Sequence, residues 1–253
     1  MSATAATLDR WFLGPPPGPD AEAVLYCLPP AGAGATGYLG WRRHAPAGLH
    51  IQPVQPPGRE NRITEPPDLS TDELAEALRR RTDRPYALYG HSMGGVVAHA
   101  VVQALVRSGA PLPSRLYVGA APPPLSPMSW LGRWLDAGDS DLVRETAALG
   151  GTPARVLAHA RTRERLVRVL RSDLGWLAAH RPAVQPPLPV PLRGFAGDRD
   201  PLVGLDAMTG WRSFTDRSYV LRALRGGHFF HLEDPRTLAR AVAADLRLTE
   251  EDL

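Results

Sequence analysis

The chain has 253 residues, of which 43% are hydrophobic and 22% are charged, values typical of a globular protein with one substantial core. All 29 basic residues are arginine, which excludes the lysine that P-loop phosphate binding and Schiff-base chemistry require. The formal net charge of +3 is too small for a nucleic-acid-binding protein, which normally carries a clustered basic stripe. The single cysteine excludes an internal disulfide and a zinc site built on several cysteines.

The apolar runs of the chain indicate whether the protein is secreted, inserted in a membrane or cytoplasmic. Residues 1–20 lack the basic start and long apolar stretch of a secretory signal. No run of about 18 apolar residues occurs, so no membrane-spanning helix is predicted. Cys27 lies within the apolar run "AVLYCLP" and is interpreted as a buried strand residue rather than a nucleophile. We expect a soluble, cytoplasmic protein that does not enter a membrane.

Six short apolar runs predict the strands of a sheet. They cover residues 22–28, 49–55, 86–90, 114–120, 190–197 and 217–224. The intervening segments predict helices with recognisable starts, such as the capping box of Ser70 and Glu73 and the cap formed by Asp234 and Pro235. Strands and helices that alternate in this way predict a mostly parallel sheet with helices on both faces, in a single α/β domain spanning 1–253.

Residues 122–187 interrupt the alternation, because no convincing strand occurs there. One helix is predicted to end at the glycine pair 150–151, another to begin at Thr152 and Pro153, and an amphipathic stretch follows. We expect this segment to be an all-helical insertion that forms a lid over the strand ends. The proline-rich stretch 181–191 would then return the chain to the sheet, since it cannot continue a helix.

The stretch "YALYGHSMGGVVAHA" places Ser92 in a G-x-S-x-G pattern between a predicted strand and a predicted helix. Small residues at positions 90 and 94 let that strand and helix approach closely, and the strained turn exposes the serine. The helix N-terminus adds backbone N–H groups and a dipole that stabilise an oxyanion. Because the bare pattern is common, the strand-turn-helix context carries the prediction that Ser92 is a nucleophile.

A serine hydroxyl is a poor nucleophile without a base, and the base needs an acid that fixes its tautomer. His228 follows two glycines and the last predicted strand, and it is the predicted base; an ordinary loop histidine is the alternative. His231 is the spare candidate, and His91 is interpreted as structural. In "GDRDPLV" both Asp198 and Asp200 qualify as the acid by position, and Asp200 is preferred because the following proline holds it extended.

An oxyanion hole needs two N–H donors, here predicted to be Met93 and a residue of the loop after the first strand. That loop reads "LPPAGAGATGYLGW", and its small residues permit close approach of backbone to a substrate. Ala31, directly after two prolines, is the predicted second donor. A plain glycine-rich turn is the alternative interpretation.

The motifs resemble, in order and spacing, those of type II thioesterases of polyketide and nonribosomal peptide assembly lines. The resemblance extends from about residue 22 to 245 and rests on "LPPAGAG", "QPPGRENR", "LYGHSMGG", "LGGTPARVL", "LRSDL", "GDRDPLV" and "GGHFFHLED". "GHSMG" and "GGHFF" are shared with many hydrolases, whereas "PGRENR" and "LGGTP" are more selective for this family.

The resemblance implies a stand-alone α/β-hydrolase fold with a helical lid. Such an enzyme hydrolyses acyl groups from the phosphopantetheine arm of acyl or peptidyl carrier proteins, through an acyl-serine, and so clears stalled or misprimed units. The family's catalytic triad maps onto Ser92, Asp200 and His228, and its oxyanion donors map onto Ala31 and Met93. No metal or organic cofactor is implied, and we expect a monomer.

The chain departs from the family pattern at three places. The family usually has an aromatic residue or histidine at Pro30, and a glycine at Ala33. It also commonly has serine-glycine-arginine where this chain has "GAA" at 119–121. None of these positions belongs to the predicted triad, so they bear on the loop conformation and on contacts of the lid or a partner.

Other functions stay open on the sequence alone. A general carboxylesterase or lipase uses the same triad on oxygen esters, and a non-catalytic carrier-protein binder keeps the fold without the reaction. A chain-terminating cyclase is a further alternative, but such an enzyme is usually fused to a carrier domain, for which we expect no room in this chain. If a carrier protein is the partner, its acidic surface is expected to meet arginines such as Arg59 and Arg62, or those of the lid at 161–171; solvated arginines without a partner are the alternative.

Overall fold

Six parallel strands form one sheet in the computed structural model of the chain, which describes residues 9–81, 83–151, 157–180 and 186–246. The strand order is β2-β1-β3-β4-β5-β6. The strands are β1 (Ala23–Leu28), β2 (Leu49–Pro53), β3 (Tyr86–His91), β4 (Arg115–Gly119), β5 (Leu192–Gly197) and β6 (Tyr219–Leu224). The six predicted strands are confirmed, with ends displaced by no more than two residues.

Helices occupy the segments between the strands. They are α1 (Thr71–Arg79), α2 (Met93–Arg107), α3 (Ser129–Asp136), α4 (Asp139–Ala148), α5 (Ala160–Ala179), α6 (Leu205–Thr209), α7 (Phe230–Glu233) and α8 (Pro235–Asp245), with 3-10 helices at Ala35–Arg43, Glu60–Arg62 and Gly210–Phe214. Both predicted caps are present: the Ser70 hydroxyl accepts from the amide of Glu73 at 3.2 Å, and Asp234 accepts from the amide of Thr237 at 3.0 Å.

The sheet separates two apolar layers, and β1 shows how its sequence serves both. Val24, Tyr26 and Leu28 point into the layer shared with α1, α2 and α5, whereas Leu25 and Cys27 point into the layer shared with the 3-10 helix Ala35–Arg43 and α8. All six residues of β1 are buried. A central parallel strand covered on both faces therefore appears as a continuous apolar run instead of an alternating one.

Helices α3, α4 and α5 follow β4 and precede β5, within the segment 122–187 that was predicted to be helical. In the described part of that segment no strand is present. The predicted helix start at Thr152 and Pro153, and the first half of the proline-rich return at 181–185, lie outside the described residues. The division of the chain into one domain with a lid at 122–187 stays a prediction. None of the helices that the structure describes has the length and apolar character needed to cross a bilayer.

Two glycines allow α2 to start directly against the sheet. A Cβ on Gly90, in β3, would collide with the carbonyl of Gly94. A Cβ on Gly94, in the first turn of α2, would collide with the carbonyl of Leu28 and would lie 2.6 Å from that of Pro29. The N-terminus of α2 therefore lies against the end of β1 and the loop that follows it.

Gly94→Ala is expected to lower the free energy of unfolding by about 1–3 kcal/mol, because the added methyl group must displace backbone rather than a flexible side chain. Gly175→Ala is the matched control in α5, where an added Cβ meets nothing within 4 Å. There the change should raise the free energy of unfolding by about 0.5–1 kcal/mol, through helix propensity. Chemical denaturation measures both values, and equal stabilities of the two variants would contradict the close approach.

Candidate active site

Ser92 occupies a strained turn between β3 and α2. Its backbone has φ 53° and ψ −124°, a region that residues with a Cβ rarely adopt. The Ser92 amide donates to the carbonyl of Gly119 at 2.7 Å, which fixes the turn against the end of β4. Ser92 is partly exposed, whereas its neighbours His91 and Met93 are buried. The turn therefore presents the hydroxyl at the carboxyl edge of the sheet.

The three residues predicted as a triad converge at this edge. The Nε2 atom of His228 lies 3.2 Å from the Oγ atom of Ser92, although the residues are 136 positions apart. The Nδ1 atom of His228 lies 2.9 Å from the Oδ2 atom of Asp200, which follows β5. The side chains of His228 and Asp200 are 2% and 0% exposed. The hydroxyl, the imidazole and the carboxylate thus form a continuous hydrogen-bonded chain, of which the imidazole and the carboxylate are shielded from water.

The backbone holds the carboxylate of Asp200 in one orientation. Its Oδ1 atom accepts hydrogen bonds from the amides of Leu202, at 2.8 Å, and Val203, at 3.1 Å. The Oδ2 atom remains for His228, so Nδ1 of that imidazole donates and Nε2 keeps a lone pair for the Ser92 proton. A group arranged in this way can draw the proton from a serine hydroxyl.

Asp198, the alternative acid, lies elsewhere in the same loop. Its carboxylate is 48% exposed, lies 3.5 Å from the guanidinium of Arg199, and accepts from the amide of Gly226 at 2.9 Å. The hydrogen bond from Gly226 and the charge of Arg199 lower the pKa of Asp198. Asp198 therefore ties the loop after β5 to the loop after β6, and Asp200 alone reaches the imidazole.

His91, a second buried histidine, holds the backbone of His228 in place. Nε2 of His91 donates to the carbonyl of His228 at 2.7 Å, so its Nδ1 is the acceptor for the hydroxyl of Tyr89 at 2.8 Å. Burial lowers the pKa of His91 well below its usual range, which keeps this ring neutral. His231, the spare candidate base, stacks on His91 with ring centroids 3.6 Å apart. Residue types and spacing gave no signal for this arrangement, which depends on a contact 137 positions away.

The predicted oxyanion donors belong to two segments that approach each other: Met93 follows Ser92, and Ala31 belongs to the loop after β1, whose Pro29 carbonyl would lie 2.6 Å from a Cβ on Gly94. Among the described residues, the amides of Ala31 and Met93 have no hydrogen-bond acceptor, whereas the next amide in the loop, that of Gly32, donates to Asp173 at 2.8 Å. Met93 is the first residue of α2, where helix N–H groups lack partners within the helix. Both amides are thus available to an external acceptor.

Arg59 and Arg62 do not form a partner surface, and that prediction is wrong. The two residues are only 5% and 6% exposed. Arg59 forms a salt bridge with Asp173 of α5, and Arg62 pairs with Glu65 and donates to the carbonyl of Gln55. The stretch "PGRENR" therefore contacts the loop that carries Ala31, because Arg59 donates to the carbonyl of Ala33 at 3.1 Å. Sequence reasoning missed Asp173, because nothing in "LRSDL" indicates a partner on a distant loop.

The described residues contain no cluster of three or more histidine, cysteine, aspartate or glutamate side chains that could hold a metal ion.

Comparisons with known proteins agree on one family. The model of the thioesterase domain matches residues 23–246. Thioesterase PikA5 of Streptomyces venezuelae is 34% identical over 92% of this chain and 84% of its own length. The solved structure of RedJ, a thioesterase from the prodiginine biosynthetic pathway of Streptomyces coelicolor, has a TM-score of 0.78 and 30% identity over 92% of this chain and 97% of that one. BorB, the type II thioesterase from the borrelidin biosynthetic cluster, has a TM-score of 0.78 and 32% identity over 93% and 97%.

Asp200→Asn is expected to slow labelling of Ser92 by a fluorophosphonate on the order of 10⁴-fold at neutral pH, the loss that this change causes in other serine triads. The asparagine oxygen would keep the two amide hydrogen bonds and turn the NH₂ group toward His228. That group donates, so the imidazole would carry its proton on Nε2 and could not accept from Ser92.

Asp198→Asn is the matched control, because it keeps an acceptor for Gly226 in the same loop. Its labelling rate should stay close to that of the unmodified protein. Equal rates for the two variants would contradict the assignment of Asp200.

Proposed function

The chain belongs to the thioesterase family, as a type II thioesterase of polyketide and nonribosomal peptide assembly lines, and from that premise we propose that Ser92, His228 and Asp200 hydrolyse acyl thioesters on carrier proteins. The observation that carries the proposal is the hydrogen-bonded chain from Ser92 to Asp200, with links of 3.2 and 2.9 Å, within a chain of this family. The product would be the free acid, released from the phosphopantetheine arm.

In the first half-reaction Nε2 of His228 takes the proton of Ser92, and the serine oxygen attacks the thioester carbonyl. The negative charge that develops on the carbonyl oxygen is stabilised by the amides of Ala31 and Met93, aided by the dipole of α2. The C–S bond then breaks, the pantetheine thiol leaves with the proton from His228, and an acyl-serine remains.

In the second half-reaction His228 takes a proton from water, which attacks the acyl-serine. The tetrahedral intermediate occupies the same pair of amides. When it collapses, His228 returns the proton to Ser92 and the carboxylic acid leaves. Asp200 stays ionised throughout and stabilises the imidazolium that forms in each half-reaction.

A cavity of about 390 Å³ supports an acyl substrate. It lies between α2, α3 and α5, and its apolar lining includes Val96, Met128, Leu131, Leu135 and Leu177. Val96 is one turn further along α2 than Ser92, on the same side of the helix. A volume at the lower end of the usual range for ligand sites suits a short or medium acyl chain.

Exposed arginines of α5 are the remaining candidates for contact with an acidic carrier protein. Arg161, Arg165 and Arg168 lie on its exposed side. Long-range attraction between such a face and an acidic partner accelerates encounter more than it strengthens the complex. We therefore propose that α5 faces the carrier protein, while its buried side contacts the loop of Ala31.

The reaction class is tested with acyl-N-acetylcysteamine thioesters, matched oxygen esters and carrier proteins loaded with the same acyl groups. We expect a higher kcat/KM for the thioesters, and higher still for the loaded carrier proteins. Ser92→Ala should lower kcat on the order of 10⁶-fold. Ser108→Ala, at the opposite end of α2, is the control and should leave kcat unchanged. A clear preference for oxygen esters would refute the substrate class.

Val96→Phe is expected to shorten the accepted acyl chain, because the larger ring fills part of the cavity that Val96 lines, one turn along α2 from Ser92. The kcat/KM for an octanoyl thioester should fall at least about tenfold more than that for an acetyl thioester. Val106→Phe makes the same change in the same helix at a residue that is 39% exposed, and should alter neither value. Equal losses for both chain lengths in Val96→Phe would show that the acyl group lies elsewhere.

A further inference from the structure

We propose that Arg59 and Asp173 are positioning residues that orient the Ala31 amide as an oxyanion donor, and so make the reaction depend on the placement of α5. The inference rests on the proposed function of Ser92 and Ala31. A buried ion pair that is remote in sequence from the triad would thereby help to stabilise the transition state.

The pair is bidentate, end-on and buried. One guanidinium nitrogen of Arg59 lies 2.6 Å from Oδ2 of Asp173 and the other lies 2.8 Å from Oδ1. The exposed fractions of the two side chains are 6% and 1%. Removing two charges from water costs several kcal/mol each, and a pair of this kind is often replaceable by apolar residues without loss of stability. The pair is therefore better explained by the geometry that it imposes than by the stability that it adds.

Both partners bind the backbone of the loop after β1. Asp173 accepts from the amide of Gly32 at 2.8 Å through Oδ2, which also accepts from Nη1 of Arg59. Arg59 donates to the carbonyl of Ala33 at 3.1 Å. Gly32 has φ +76°, and a Cβ there would lie 2.7 Å from a methyl carbon of Leu170, so the loop also packs directly on α5.

These contacts define the direction of the Ala31 amide. The amide of Ala33 donates to the carbonyl of Pro30 at 3.1 Å and closes a four-residue turn, with Gly32 at the position that requires positive φ. The Pro30 carbonyl thus points into the turn. In a trans peptide the N–H points opposite to the carbonyl, so the Ala31 N–H points out of the turn. Asp173 fixes the next peptide plane, and Arg59 fixes the end of the turn.

The conformation of this turn depends on the position of α5. Asp173 and Leu170 both belong to this helix, which lies in the helical segment between β4 and β5. Displacement of α5 would release the Gly32 amide and free the turn to rotate. The oxyanion donor is therefore complete only while α5 is seated on the loop.

The test is the double variant Arg59→Met/Asp173→Leu, which keeps the buried volume apolar but removes both contacts to the turn. We expect a melting temperature close to that of the unmodified protein and a KM within about twofold of its value. Per active site titrated with a fluorophosphonate, kcat should fall at least about tenfold, toward the roughly 10²- to 10³-fold loss that follows deletion of an oxyanion donor. Arg193→Met/Asp245→Leu removes another largely buried Arg–Asp pair, at the start of β5, and should leave kcat unchanged.

Both p-nitrophenyl butyrate and a butyryl thioester serve as substrates, because the oxyanion donor acts on either. Loss of kcat on the p-nitrophenyl ester supports this inference even if the thioester preference fails. Conversely, thioester hydrolysis with kcat per titrated site unchanged in the double variant overturns this inference alone. If the double variant does not fold, Asp173→Asn replaces it. This change keeps an oxygen for Gly32 but removes the charge, so a smaller fall in kcat at constant KM is expected, and an unchanged kcat overturns the inference.

Discussion

The approach of α2 to the sheet without intervening side chains is the constraint on which the site depends. Gly90 and Gly94 lack the Cβ atoms that would collide with backbone, and the turn between them forces Ser92 into positive φ. The strain at Ser92 exposes its hydroxyl, and the same approach brings the free amide of Met93 next to the end of β1. Ser92, the free amide of Met93 and Val96, which lines the cavity, thus all lie within the first two turns of one helix.

The parallel sheet brings the remaining groups to this helix. Because every strand runs in the same direction, the segments after β1, β3, β5 and β6 meet at one edge, where they supply Ala31, Ser92, Asp200 and His228. Hydrogen bonds then fix each group: amides hold Asp200, and neutral His91 holds the carbonyl of His228. A thioester hydrolysed at this edge would meet groups that require little reorganisation.

Charge in this chain is used within the molecule as well as at its surface. Arg59 and Arg62 are buried against backbone and carboxylates, although arginines in a glycine-rich and proline-rich loop resemble a binding surface when only the sequence is considered. The planar guanidinium can bind a carboxylate and a carbonyl together, which lysine cannot do with the same geometry. In this loop Arg59 therefore links α5 to the turn that contains Ala31.

The sequence by itself determined the sheet, the capped helices, the family and the positions of Ser92, Asp200 and His228, because these features depend on local patterns and on a fixed chain order. Strand runs, capping boxes and the glycines around Ser92 act within a few residues, so they can be recognised from the sequence alone. Only the tertiary structure decided that Asp173 meets Arg59 and Gly32, that His91 supports His228, and that Arg59 and Arg62 are buried. Each of these contacts joins residues far apart in the chain, and a buried charge differs from an exposed one only in its neighbours, which packing alone supplies.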